Sequence, residues 1–251
     1  MVPPGYERLL LAHAVAVARP EFAAGIRRCL HGADGTRPTL YEYAARQTTS
    51  RALQGRGTAY AMTLPLSRER VVVRHNRHGG AFAPVTRDLF LAPTRAPYEL
   101  RISIELEQRG VPTPQIVAYV LYPPAGLLQR ADVCSREIAD SRDFGLIMSR
   151  PDATERAPAI QAAARLVAAL ARAGARHHDL NAKNILLTAD IAYVLDVDRV
   201  VLGAHPKSVL EANLARLTRS LHKSRTQFGA KITDDEIAEL ERLARQELRQ
   251  A

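Results

Sequence analysis

The segment RHHDLNAKNILL (Arg176 to Leu187), with VLDVDR (Val194 to Arg199) shortly after it, constrains this chain more than any other stretch. Within NILLTADIAYVLD two short apolar runs flank a polar turn, which predicts a strand, a turn and an antiparallel return strand. Such a hairpin folds Asn184, at the head of the first run, back toward Asp196, at the end of the second. Asp179 lies five residues before Asn184, in the loop that leads in, and faces the same mouth.

An amide oxygen and a carboxylate are hard oxygen ligands, suited to magnesium that bridges polyphosphate oxygens. Asn184 and Asp196 are therefore the metal candidates, and Asp179 keeps a carboxylate free to orient a hydroxyl nucleophile. Lys183 sits next to Asn184, where its ammonium can neutralise charge on a transferring phosphoryl group. Asn181 is expected to bond either phosphate or the loop itself. His177 is expected to bond backbone carbonyls and prop the aspartate. The plainer alternative makes the polar residues turn and cap positions flanking two strands.

Composition narrows the partners. Thirty-five Lys and Arg against twenty-six Asp and Glu give a formal charge of +9, which favours ligands carrying phosphate or carboxylate. No nucleic acid partner is expected, because the chain has no tryptophan and only 5% aromatic residues, leaving few platforms for base stacking. Two cysteines, Cys29 and Cys134, without a CxxC pattern, fit a reducing compartment, and the cytoplasm is the expected location. The apolar run Leu9 to Ala18 is interrupted by His13 and falls short of the roughly 20 residues a spanning helix needs. It reads as a strand pair or a short buried helix. Any membrane contact is then peripheral, and two basic stretches, Arg74 to Arg95 and Arg216 to Lys231, are either solvated surface or docking sites for anionic phosphosugars and headgroups.

Along the chain, short strand-like pieces give way to helices. TAYAMTL (Thr58 to Leu64) and VVVR (Val71 to Arg74) form a hairpin across PLSRER, with the turn GRG (Gly55 to Gly57) before it. Leu100 to Gly110 reads as a short helix, VPTPQIVAYVLY as extended chain and ADVCSREI, which ends at Ile138, as a further strand. Ala157 to Ala173 is a buried helix ended by Gly174, and Ser208 to Ser220 is another. TDDE (Thr233 to Glu236) is a capping box opening a last helix to about Leu248. The expected architecture is α+β and two-lobed. Its first lobe, a β-sheet with one helix, covers residues 1–140, with 1–50 an extension of unassigned role, and a compact helical lobe covers 141–251.

Taken in order, GRGTAY, VVVRHNRHGG, YELRISIELEQRGVPTP, HHDLNAKNILL and LDVDR resemble the lipopolysaccharide kinase family, typified by Kdo (3-deoxy-manno-octulosonic acid) kinases, over about residues 55–225. Within the wider protein-kinase-like fold, His177, Asp179 and Asn184 match the H-x-D-x-x-x-x-N loop, and LDVD stands where D-F-G would. The resemblance implies ATP and Mg2+ as cofactors. It gives Asp179, Lys183 and Arg74 catalytic roles, makes Gly55, Gly57, Arg74, Glu99 and Ile138 nucleotide-binding, and makes Asn184 and Asp196 metal ligands. Nucleotide would lie in a cleft between the lobes. The acceptor would be a sugar hydroxyl of an anionic glycolipid, a lipopolysaccharide inner-core or lipid A precursor, at the cytoplasmic face of the inner membrane.

Four positions depart from the wider pattern. Arg74 replaces the usual lysine, although a guanidinium can also clamp phosphate oxygens. Tyr60 stands in place of a third glycine, and Val197 and Asp198 replace the Phe and Gly of D-F-G. A compact protein or small-molecule kinase and an inactive kinase-like binding module are the alternative readings.

Overall fold

The computed structural model describes residues 2–32, 35–53, 58–75, 90–91, 94–123 and 128–250. Gly55 and Gly57, and most of the basic stretch after Arg74, lie outside the described residues. The chain forms two compact units, Met1–Arg101 with Gln115–Glu137, and Ile102–Pro114 with Ile138–Ala251.

The first unit is built on an antiparallel sheet. Leu9–Ala18 is a strand pair, β1 (Glu7–Leu11) and β2 (Ala14–Ala18), with the interrupting Ala12 and His13 forming the turn between them. The hairpin expected at residues 58–74 is β4 (Ala59–Thr63) and β5 (Arg70–His75), and β3 (Arg51–Leu53) adds an edge strand. A short ladder, β6 (Phe90–Leu91) with β8 (Leu128–Gln129), stands apart from the main sheet. With β7 (Ile116–Leu121) and β9 (Ala131–Arg136), the seven-stranded order is β1-β2-β7-β9-β5-β4-β3.

Residues before 50 are therefore integral to this sheet and not an appendage. They also supply two helices that local pattern did not reveal, α1 (Pro20–His31) and α2 (Leu40–Arg46). In α1 the residues Phe22, Ile26, Cys29 and Leu30 are buried, a helical spacing that lays one face on the core. In α2 the Thr39 and Glu42 side chains close a reciprocal capping box at the N-terminus. Both cysteine thiols are free and buried, and burial pushes that of Cys29 up to about 12.

Helix α3 (Ala96–Gln108) ends before Gly110, whose φ of +71° suits glycine. Residues 102–114, which the sequence reading left with the first half, group with the second unit. The cause is local bonding: the Pro112 carbonyl accepts from Val194 N–H, and the Thr113 hydroxyl donates to the Val194 carbonyl.

In the second unit, α4 (Phe144–Met148) precedes α5 (Ala153–Arg172), the long alanine-rich helix that packs against both following helices. Capping by the Asp152 side chain starts α5 four residues before the expected position, and Pro158 is tolerated inside it. Helix α6 runs from Pro206 to Phe228, so the basic residues after Ser220 continue the helix, which stops at Gly229 (φ +66°). Helix α7 (Asp234–Arg249) begins at the expected Thr233–Glu236 capping box. Its Glu236 also pairs with buried Arg156 at 2.8 Å, and the Arg156 guanidinium donates further to the Arg150 and Pro151 carbonyls. Short strands complete the unit: β10 (Arg142–Asp143), β12 (Ile185–Leu187) and β13 (Ala192–Val194) in one sheet, β11 (Arg176–His177) and β14 (Val200–Val201) in another. Among the described residues no helix is long and apolar enough to cross a membrane.

Candidate active site

The predicted strand-turn-strand is present, with Ile185 opposite Val194 and Leu187 opposite Ala192. One position further, the Leu195 N–H donates to the Asn184 carbonyl at 2.9 Å. The ladder thus closes with Asn184 and Asp196 one residue out of direct opposition at its open end.

His177 joins this hairpin to the preceding loop. It is 1% exposed; its Nδ1 accepts from the Asp179 N–H at 3.1 Å and its Nε2 meets the Leu195 carbonyl at 2.9 Å. An acceptor Nδ1 and a donor Nε2 define the neutral imidazole, and burial, the largest influence, holds the His177 pKa below its ordinary value. One ring therefore ties the backbone of Asp179 to that of Leu195, the residue before Asp196.

The Asp179 carbonyl accepts from the side-chain amides of Asn181, at 3.0 Å, and Asn184, at 2.9 Å. Asn181 also accepts from the Lys183 N–H at 3.0 Å, so it serves the loop. Because Asn184 uses its N–H there, its Oδ1 is the atom available to a cation. Asp196 adopts the left-handed conformation (φ 54°, ψ 46°) and leads into a tight turn over Val197–Arg199. This is an uncommon backbone for a residue other than glycine, and it is held by Arg199 N–H donating to the Asp196 carbonyl at 3.2 Å and by the β11–β14 pairing beyond. Among the described residues no cluster of three His, Cys, Asp or Glu is placed to hold a metal. An Asn184 amide oxygen with an Asp196 carboxylate is nevertheless a donor set that suits Mg2+, which retains several waters and takes few protein oxygens.

Helix α6 contributes Asn213, which local pattern missed, and Arg216, which the sequence marked only as the start of a basic stretch. Asn213, fully buried, accepts from the His177 N–H at 3.0 Å and donates to the Ala175 carbonyl at 3.1 Å, tying the helix to β11. Its signal was an amide within the buried stripe Val209, Leu210, Leu214, Leu217. Arg216 places Nη2 3.1 Å from the Asp179 carboxylate, a contact that depends on how α6 lies along the loop and that sequence spacing does not encode. Lys183 is exposed, and its ammonium lies 5.5 Å from the centre of the Phe228 ring.

In the first unit Arg74, on β5, forms an ion pair with Glu99, in the first turn of α3. Glu99 is only 4% exposed, whereas Glu105 instead pairs with Arg109. Beside Arg74, the buried Asp132 accepts from the Tyr122 hydroxyl at 2.6 Å and from the Tyr41 N–H at 2.9 Å, and it meets His75 at 2.5 Å. This network anchors the end of β5 to the start of α2. Ile138 follows β9 at the start of the second unit's second segment, and its carbonyl accepts from the Ser141 hydroxyl at 2.8 Å.

A sheet-based unit with an Arg–Glu pair, followed by a helical unit with this loop and hairpin, belongs to the protein-kinase-like phosphotransferases. Comparison with known proteins narrows the class. The model of the lipopolysaccharide kinase (Kdo/WaaP) family matches residues 43–244. A 3-deoxy-D-manno-octulosonic acid kinase of Xanthomonas campestris pv. campestris is 35% identical over 196 residues, which are 76% of this chain and 75% of that one. Its counterpart in Stenotrophomonas maltophilia is 32% identical over 193 residues, 75% of each chain. A solved structure of WaaP in complex with acyl carrier protein aligns with 84% of this chain and 93% of that one, at 19% identity and a TM-score of 0.46. The chain belongs to the lipopolysaccharide kinase (Kdo/WaaP) family and is a phosphotransferase acting on a sugar hydroxyl.

Proposed function

We propose that the chain transfers the γ-phosphate of ATP to a hydroxyl of 3-deoxy-D-manno-octulosonic acid carried on a lipid A precursor, at an anionic membrane surface. The acceptor rests on the relatives, which are named for that sugar acid. The mechanism rests on one observation above the others: the His177 ring bonds both the Asp179 backbone and Leu195, the neighbour of Asp196.

Asp179 orients the acceptor hydroxyl and takes its proton. The acceptor oxygen bonds to the γ-phosphorus as the bond to the β–γ bridging oxygen breaks, and ADP leaves with that electron pair. Asn184 and Asp196 hold Mg2+, which when bound offsets charge on the β and γ phosphates. Arg74, fixed by Glu99, clamps nucleotide phosphate oxygens, and Lys183 screens the moving phosphoryl group.

The test is a turnover assay with Mg2+-ATP and a lipid A precursor bearing the sugar acid, reading ADP release and product mass. Asp179→Ala is expected to lower turnover by about 100- to 10,000-fold, the range for losing a positioned base, while ATP still binds. Unchanged turnover in that variant would remove Asp179 from the mechanism.

A further inference from the structure

Arg216 lies against Asp179, the residue assigned above to orient the acceptor hydroxyl. Its guanidinium lies 3.1 Å from the carboxylate of Asp179, yet its side chain is 43% exposed. It lies one helical turn after the Asn213 anchor and toward the same side of α6, and Ser220, one turn on, accepts from the Ala182 N–H at 3.2 Å and keeps this part of the helix against the loop. Arg219 and Lys223, three and seven residues beyond Arg216, share its exposed face, and neither has an ion pair among the described residues. No acidic residue occurs in the chain between Glu211 and Thr233, so after Glu211 α6 itself carries cationic but no acidic side chains. A positive face of this kind draws in an anionic ligand and disfavours a neutral one of the same shape only weakly, unless one group contacts the anion directly. Arg216 has the planar, multi-donor geometry for that contact, and it is the cation on this face that already touches the candidate base.

We propose that Arg216 determines acceptor specificity by binding the carboxylate of the sugar acid, and that its ion pair with Asp179 is the acceptor-free arrangement. When the acceptor docks, its carboxylate takes the Arg216 guanidinium and the Asp179 carboxylate turns to the hydroxyl. One anion replaces another on the same guanidinium, so the exchange leaves no buried charge unpaired. This inference rests on the acceptor assigned under Proposed function; what it adds is the group on the protein that tells an acid from a neutral sugar.

The experiment measures kcat and KM for two acceptors, the lipid A precursor bearing the free sugar acid and the same compound with that carboxyl as its methyl ester. Wild type is expected to favour the acid by about 10- to 100-fold in kcat/KM, the yield of one charge-assisted contact. Arg216→Gln should lower kcat/KM for the acid by a similar factor, mainly through KM, and leave the ester within about twofold. Arg216→Lys should recover part of the preference, and Arg242→Gln, an exposed charge on α7 paired to Glu239, should change neither acceptor. Equal losses on acid and ester in Arg216→Gln overturn the proposal, because Arg216 would then act only by holding Asp179. Absence of phosphorylation of either compound by wild type overturns the acceptor assignment itself, and this inference with it.

Discussion

Replacing His177 by Phe tests the physical core of the site. The phenyl ring fills comparable space but can neither accept from the Asp179 N–H nor donate to the Leu195 carbonyl, bonds of 3.1 and 2.9 Å in the native protein. At a position 1% exposed, water does not readily replace them. Each orphaned backbone group costs about 1–3 kcal/mol, so the variant should lose about 2–6 kcal/mol, and the urea midpoint should fall by about 1–2 M. The native His177 pKa is held below its ordinary 6.5. The unfolded chain therefore binds this proton first on acidification. The contribution is complete above about pH 6.5 and is lost as pH falls from there toward the lowered folded value. Wild type should show that loss in urea titrations monitored by circular dichroism between about pH 7.5 and about pH 5.5, roughly one unit either side of an ordinary histidine. His177→Phe should lack the component due to this residue, giving a shallower pH slope. A variant with an unchanged midpoint, or with the wild-type slope retained, would refute the bridging role of the ring.

Arg74→Ala should destabilise the first unit by about 3–5 kcal/mol, since it leaves the buried Glu99 without this partner, and it should raise KM for ATP; Arg74→Lys should recover stability better than KM, a contrast read by thermal melts and initial rates. Gly25→Ala gains about 1 kcal/mol of helix propensity but drives a Cβ to 2.5 Å from the Pro65 carbonyl oxygen, so the clash should win and stability fall by about 1–3 kcal/mol in chemical denaturation. Thr233→Ala removes half of the capping box of α7 and should cost about 1 kcal/mol by the same measurement.

The parts of the protein that announced themselves were those whose chemistry is local. The hairpin around Thr188–Asp190, the capping box at Thr233 and the stop at Gly174 each follow from neighbours in the chain, and Asp179, Asn184 and Asp196 are marked by their spacing about two apolar runs. Within the first fifty residues the Leu9–Ala18 strand pair was legible as one of two readings, but its place in the sheet and the helices α1 and α2 were not, for the opposite reason. The strand β2 is a short run of alternating alanine and valine, and it becomes a sheet strand by pairing with β7, about a hundred residues away. Helix α6 was cut short at Ser220 because the cationic stretch after it offers little apolar face, yet Leu221 is fully buried and the helix continues to Phe228.

The sequence alone decided which side chains can do phosphoryl chemistry and in what order they occur, because residue type and short spacing are written in the chain itself. Only the tertiary structure decided that Glu99, and not Glu105, meets Arg74, that a buried His177 ties the backbone of Asp179 to that of Leu195, and that Arg216 reaches the candidate base from 37 residues away. Those contacts depend on the packing of α3 and α6 to within about a hydrogen bond's length, a precision that helical periodicity does not carry.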